Sequence, residues 1–219
     1  MNHFQTRAIV LKRTDYGEAD RIITLLTPNH GKFSTLAKGV RKIKSKLAGG
    51  VELFTVNDVV IIQGKGELRT LRSSRMHRHF SRLVEEYPRV QAASDVITQI
   101  NKATEVESEP EYFELLEIAL ESLNDRTIPI AVAQFWFKIQ LLQLQGRTPN
   151  FENDSNGEKL SSGSSYRFNA EEGLLETAQS GLGVDHIKFG RLALQLRPLQ
   201  LNRVGDAEQL ASDWVHALA

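Results

Sequence analysis

The spacing of hydrophobic residues changes at about residue 80. Before that point, short runs rich in β-branched residues alternate with turn signals such as Pro28-Asn-His-Gly31. These runs predict five strands, at residues 6–13, 20–27, 32–38, 53–63 and 67–73. Five short strands at roughly ten-residue spacing are typical of a small closed or nearly closed barrel.

After Phe80 the apolar residues recur at helical spacing. The pattern predicts helices at residues 88–102, 110–123, 127–146, 185–196 and 206–218. The third of these, between a capping Thr127 and a terminating Gly146, is apolar nearly all round, so we expect it at the centre of a helical domain. Residues 146–183 are rich in Gly, Ser, Asn and Asp and predict a loop-rich insert. The predicted fold class is α+β, with a barrel domain at 1–79 and a helical domain at 80–219.

Charge is distributed very unevenly along a chain whose formal net charge is zero. Residues 1–82 hold 16 of the 27 Lys and Arg but only 6 of the 27 Asp and Glu. No acidic residue lies between Asp20 and Glu52, and five cations fall within Lys38–Lys46, here called the basic segment. Such a block is an electrostatic footprint for a polyanion, and it indicates nucleic acid before it indicates an enzyme pocket.

Nine cations of the barrel region are the candidate phosphate contacts. They are Lys32, Lys38, Arg41, Lys42, Lys44, Lys46, Arg69, Arg72 and Arg75. Strand alternation predicts that Arg69 and Arg75 share one face and that Arg72 lies opposite. Tyr16, Phe33 and Phe54 are available for base stacking, although the apolar neighbours of Phe54 favour a core position. The alternative for the basic segment is a solvated loop without a ligand.

Other function classes find little support in the sequence. The chain has no cysteine, which excludes disulfides, a thiol nucleophile and a cysteine zinc site, and fits a cytosolic protein. The first residues show no secretory signal, and polar residues interrupt the most apolar stretch, 128–144, as in a buried helix and not a membrane span. His77 and His79 are the only close histidine pair, and we favour two polar histidines over a metal site. No phosphate-loop, dinucleotide or nucleophile-elbow motif is present, so we expect a non-enzymatic protein with no catalytic residue, metal or cofactor.

Residues 6–75 contain a series of short motifs in a characteristic order: Thr6-Arg-Ala-Ile-Val-Leu11, Asp15-Tyr-Gly-Glu-Ala-Asp-Arg-Ile-Ile-Thr-Leu-Leu-Thr27, His30-Gly-Lys32, Leu36-Ala-Lys-Gly-Val-Arg41, Ser45-Lys-Leu-Ala-Gly-Gly50, Glu52-Leu-Phe54 and Gly66-Glu-Leu-Arg-Thr-Leu71. In this combination and order, the motifs resemble those of the RecO family of bacterial recombination and repair mediators. Beyond residue 80 the likeness is one of layout, namely helices, a loop-rich insert and terminal helices.

The resemblance implies an oligonucleotide-binding (OB) barrel followed by a helical domain. It also implies a cytoplasmic, nucleoid-associated protein of the RecF pathway that binds single- and double-stranded DNA, anneals complementary strands and assists recombinase loading. The partners it implies are RecR and the C-terminal tail of single-strand-binding protein, with no membrane. The alternative is a protein adaptor whose basic face binds an acidic partner tail, with DNA binding incidental.

One departure from the family concerns zinc. Many members carry two Cys-x-x-Cys pairs in the insert, and by register Asn153–Asn156 and Glu176–Gln179 stand at those places. Because amides are poor zinc ligands, we expect the insert to fold without metal by packing Tyr166, Phe168, Leu174 and Leu175.

Overall fold

The computed structural model describes residues 2–64, 68–105, 109–169 and 172–218, in two compact units, Met1–Asn124 and Asp125–Ala219. The elements of the first unit are β1 (Asn2–Tyr16), β2 (Asp20–Thr27), β3 (Gly31–Ala37), β4 (Thr55–Gln63), β5 (Arg69–His79), α1 (Tyr87–Ala103) and α2 (Pro110–Asn124), with 3-10 turns at Ala48–Gly50 and Ser81–Glu85. The five strands close into a barrel in the order β1-β2-β3-β5-β4. Part of the predicted Gly64-Lys-Gly66 turn lies outside the described residues.

Alternating apolar residues fill the barrel. Val10 on β1, Ile23 and Leu25 on β2, and Val59 and Ile61 on β4 are buried in one cluster. The period of two that predicted these strands therefore corresponds to one inward and one outward face. The α+β class and the five-stranded barrel are confirmed, although β1 and β5 extend well beyond the predicted strands.

Strand β5 contains a bulge that changes which of its arginines share a face. Val60 pairs with Ser73 and Ile61 pairs with Leu71, so Arg72 is an extra residue in the ladder. An extra residue reverses the alternation that follows it. The prediction that Arg69 and Arg75 point together, with Arg72 opposite, was therefore wrong.

Helices α1 and α2 belong to the same compact unit as the barrel. On α2, Glu117 lies 3.8 Å from Arg7 and 3.7 Å from Arg78, and Glu121 lies 3.3 Å from Arg78. The guanidinium of Arg7 also lies 5.6 Å from the ring centre of Phe113. Acidic residues of α2 thus form ion pairs with two arginines of the barrel strands. The domain boundary at residues 79 and 80 stays a prediction.

The second unit is built around a buried helix. Its elements are α3 (Ile130–Leu144), β6 (Ser165–Asn169), β7 (Leu174–Ala178), α4 (Val184–Ala193), α5 (Pro198–Leu201) and α6 (Ala207–Ala217). Phe135 of α3 is fully buried and stacks on Phe189 and Trp214, at centroid distances of 5.2 and 5.6 Å. The central place predicted for this helix is confirmed within the unit. None of the helices in the described ranges is both long and apolar enough to cross a membrane.

The insert contains an antiparallel β6–β7 hairpin that the sequence pattern did not predict. Tyr166, Phe168 and Leu175 are buried and Leu174 is half-buried, as expected for packing by these residues. The rings of Phe168 and Trp214 pack in a T-shaped arrangement with their centroids 6.0 Å apart. The insert therefore buries apolar side chains, and these pack against the helices of the second unit.

The residues at the family's zinc positions do not suit a zinc ion. Asn153 and Asn156 offer only neutral amides, which are weak ligands beside thiolate or imidazole. Glu176 accepts a hydrogen bond from Asn169 at 3.1 Å and lies 3.5 Å from the guanidinium of Arg167. No group of three or more His, Asp or Glu in the described ranges is arranged to hold a metal ion. Folding of the insert without metal stays a prediction, which near-stoichiometric zinc in dialysed protein would contradict.

The turn at residues 154–158, in the insert, is held together by the carboxylate of Asp154. Asp154 accepts backbone hydrogen bonds from Asn156 at 2.9 Å and Glu158 at 3.0 Å, and its other oxygen accepts one from the Thr177 hydroxyl at 3.2 Å. The backbone hydrogen bond from Glu158 is the largest cause that holds the pKa of Asp154 below its ordinary value of 3.8. The turn is therefore stabilised by the charged form of this side chain.

We expect the turn to loosen in acid. Because the folded pKa of Asp154 is lowered, its stabilisation is present above pH 3.8 and is lost as the pH falls through the lowered value. Hydrogen exchange of residues 150–160 measures this loss. Asp154→Asn should exchange faster near neutral pH and show no further acid transition. Glu158→Gln, which changes an exposed carboxylate in the same turn, is the control and should behave like the unmodified chain. If Asp154→Asn and Glu158→Gln changed hydrogen exchange equally, the Asp154 carboxylate would not be the group that stabilises the turn.

Candidate nucleic-acid interface

The basic segment is held against the barrel at its start. Val40 is buried in the barrel core, the backbone N–H of Gly39 donates to Asp20 at 2.7 Å, and the N–H of Arg41 donates to the carbonyl of Ala19 at 3.0 Å. These contacts fix the segment beside the β1–β2 turn. Gly39 has φ +64°, a left-handed conformation that favours glycine.

A close backbone approach holds the chain beyond the segment. The hydroxyl of Ser74 on β5 donates to the carbonyl of Gly50. A Cβ at Gly50 would lie 2.5–2.8 Å from atoms of Ser74, including its backbone oxygen, so only glycine fits. Val51 follows and is buried in the barrel core. Both ends of the connection between β3 and β4 are therefore anchored.

Four lysines of the basic segment face solvent. Lys38, Lys42, Lys44 and Lys46 are all exposed, and none has a carboxylate within ion-pair distance in the described part of the chain. Their positive charge is therefore available to an external anion. The structure brings these four predicted contacts together at one end of the barrel.

Arg41 is engaged differently. Its guanidinium lies 3.6 Å from Asp15 and donates to the carbonyl of Gly17 at 3.4 Å. Asp15 also accepts a hydrogen bond from Arg21 at 2.7 Å, and this bond, with the charge of Arg41, holds the pKa of Asp15 below its ordinary value. Arg41 thus ties the basic segment to the β1–β2 turn.

Lys32 lies near the β2–β3 turn, whereas the backbone of Arg69 pairs with Thr35, toward the other end of β3. The ammonium of Lys32 donates to the carbonyl of Asn101 on α1 at 2.6 Å, and burial lowers its pKa. The guanidinium of Arg69 lies over the rings of Phe33 and Phe4, at 4.1 and 5.6 Å from their centres. Both cations are therefore engaged in contacts within the first unit, and their role in phosphate binding stays a prediction.

Arg72 and Arg75 are exposed on the outside of the barrel. Arg72 lines a groove of about 600 Å³ with His3, Phe4, Gln5, Val60 and Ile62. Arg75 stands opposite Asp58 in the β4–β5 ladder, and Nδ1 of His77 lies 3.7 Å from the carboxylate of Asp58. Both arginines lie on β5, and Ser74 between them is the residue that contacts Gly50 beyond the basic segment.

The aromatic candidates have different environments. Phe54 is 7% exposed, in agreement with a core position, and Phe33 is half-buried under Arg69. Tyr16 is 54% exposed at the end of β1. Sequence reasoning missed Ile43, which is fully exposed between Lys42 and Lys44. An apolar residue inside a run of lysines was the signal that could have found it.

A closed five-stranded barrel in this strand order is an OB fold, a class of barrel whose outer strands and loops bind oligonucleotides in many proteins. The basic segment lies in the connection between β3 and β4 of this barrel, beside the β1–β2 turn. Comparison with known families then identifies the chain: it belongs to the recombination protein O family. The N-terminal model of that family matches residues 1–80, and its C-terminal model matches residues 92–202.

Similar proteins carry the name DNA repair protein RecO. That of Dehalococcoides mccartyi is 35% identical over 173 residues, which cover 78% of this chain and 67% of the relative. That of Acetivibrio thermocellus is 34% identical over 154 residues, covering 68% of this chain and 59% of the relative. That of Bifidobacterium longum is 33% identical over 152 residues, covering 68% and 63%. The family is one of DNA repair and recombination, and the matched region spans about three fifths to two thirds of these relatives.

Proposed function

We propose that this chain acts in DNA repair and homologous recombination by binding DNA through the basic segment and annealing complementary strands. The observation that carries the proposal is the group of four exposed lysines, Lys38, Lys42, Lys44 and Lys46, without carboxylate partners in the described ranges, on an anchored connection of an OB barrel. Family membership supports the same role.

The physical basis is charge neutralisation. Each phosphate that a lysine contacts releases condensed counterions, which gives affinity without reading the sequence. Two DNA strands repel each other through their phosphates, and a cationic surface lowers that repulsion. Non-specific contacts let the strands shift until bases pair, so base pairing and not the protein supplies the sequence information.

We extend the proposal to the partners that the family implies. RecR and the C-terminal tail of single-strand-binding protein would bring the chain to coated DNA, where it assists recombinase loading. Annealing makes and breaks no covalent bond. It therefore needs no catalytic residue, and we propose a non-enzymatic role.

An annealing assay tests this function. We expect the purified chain to accelerate the pairing of bare complementary oligonucleotides well above the spontaneous rate, with the same rate in EDTA. Strands coated with single-strand-binding protein should also anneal, whereas non-complementary strands should give no product. Binding to an acidic peptide with no DNA binding at moderate salt would support an adaptor instead, and metal-dependent turnover of DNA would indicate a nuclease.

A further inference from the structure

Two exposed apolar side chains accompany the lysines of the basic segment. Ile43 is fully exposed between Lys42 and Lys44, and Tyr16 is 54% exposed at the end of β1. Tyr87 and Val84 are also exposed in the first unit, but neither has lysines beside it in the sequence, as Ile43 has. No intramolecular packing accounts for Ile43 at its position.

The two side chains belong to one end of the barrel. Tyr16 stands opposite Asp20 in the β1–β2 ladder, and Asp20 accepts the hydrogen bond from Gly39 at the start of the basic segment. Arg41, two residues before Ile43, donates to the carbonyl of Gly17, next to Tyr16. The β1–β2 turn and the basic segment therefore form one surface that combines exposed cations with exposed apolar groups.

From this combination we infer that Tyr16 and Ile43 contact nucleobases and give the surface a preference for single-stranded over duplex DNA. The inference rests on the proposed function and names the strand state that this site selects. Lysine contacts depend on phosphates, which both forms of DNA present. An aromatic or apolar side chain contacts a base face only where the base is unpaired and unstacked.

The preference has a consequence for annealing. Once two strands pair, their base faces stack on one another. Tyr16 and Ile43 can then no longer contact those faces. The duplex then keeps only its phosphate contacts with the lysines. The surface therefore binds the reactant strands more tightly than the product, which allows the duplex to leave.

A double variant tests the inference. Tyr16→Ala with Ile43→Ser is compared with Tyr87→Ala with Val84→Ser, because Tyr87 and Val84 are similarly exposed at the start of α1 and in the preceding 3-10 turn. The probes are an oligothymidylate, an abasic strand of the same length and a duplex of the same length. Binding is measured over a range of salt concentrations, and thermal unfolding checks that each variant is folded.

We expect the Tyr16–Ile43 variant to bind oligothymidylate at least about fivefold more weakly, since stacking of even one base supplies that much. Affinities for the abasic strand and the duplex, and the salt slope, should stay unchanged because the lysines remain. The Tyr87–Val84 control should bind all three probes as the unmodified chain does. Unchanged oligothymidylate binding, or an equal loss for the duplex, overturns the inference.

A third protein separates this inference from the proposed function. Lys42→Glu with Lys44→Glu removes phosphate contacts and leaves Tyr16 and Ile43 in place. If it weakens DNA binding while the Tyr16–Ile43 variant does not, only the inference is wrong. If it leaves DNA binding intact, the proposed function is wrong as well.

Discussion

Reversing two lysines of the basic segment, Lys42→Glu with Lys44→Glu, should weaken single-stranded DNA binding by about 25-fold or more at about 0.1 M salt. Each phosphate contact contributes about 0.7 to the slope of log affinity against log salt for single strands. Loss of two contacts therefore lowers the slope by about 1.4, which at this salt concentration corresponds to the stated factor. Repulsion by the new carboxylates adds to the loss. Fluorescence anisotropy over a salt series measures both quantities.

The matched control reverses two exposed lysines elsewhere. Lys102→Glu with Lys159→Glu changes the net charge of the chain by the same amount, but these residues lie at the end of α1 and in the insert. A long-range effect of net charge would weaken DNA binding equally in both variants. A local binding site predicts a large loss of DNA affinity only in the Lys42–Lys44 variant. An unchanged slope in a folded Lys42–Lys44 variant would also contradict the proposed site.

Removal of the Trp214 side chain should have the largest effect on stability, about 3–5 kcal/mol for the free energy of unfolding of the second unit. Trp214 is fully buried, and its ring meets Phe135 of α3 together with Phe151 and Phe168 of the insert at centroid distances of 5.6, 5.8 and 6.0 Å. Its indole N–H donates to the carbonyl of His186 at 2.9 Å. Trp214→Ala leaves a cavity where the insert joins the helices.

Urea unfolding of Trp214→Ala, followed by the fluorescence of Trp136, the other tryptophan of the chain, measures this loss. Leu199→Ala is the control, because Leu199 lies on α5 of the same unit and is 48% exposed. It should change the free energy of unfolding by less than about 0.5 kcal/mol. A loss in Trp214→Ala no larger than in this control would mean that the aromatic cluster does not hold the insert.

The sequence was most informative where one rule determines the structure. Alternation of apolar residues identified all five strands, since inward residues such as Val59 and Ile61 must be buried. Helical spacing placed α1 and α2 within a residue or two of their observed ends.

The start of α3 was not predicted correctly. Gly146, with φ +69°, follows α3 as predicted, but that helix begins at Ile130 and Thr127 does not cap it. The hydroxyl of Thr127 bonds Asp125 instead, a local competition that periodicity does not reveal.

The site was less predictable, because exposure and ion pairing depend on distant parts of the chain. Nothing near Lys32 in the sequence indicates that Asn101 accepts its hydrogen bond, and nothing near Arg7 indicates Glu117. The bulge at Arg72 adds one residue to β5, which an alternation argument cannot detect. The basic segment was easier to find because its charges are contiguous along the chain.

If the basic segment binds DNA as proposed, its anchoring also determines how much of a DNA strand it covers. The connection between β3 and β4 is fixed at Val40 and again at Gly50 and Val51, so its lysines cannot spread along a strand as those of a disordered tail would. A compact set of contacts occupies only a few nucleotides, toward the low end of the range for OB barrels. Most bases of a bound strand are then left uncovered. A short occluded length is what a complementary strand needs, since pairing can begin on bases that no protein group shields.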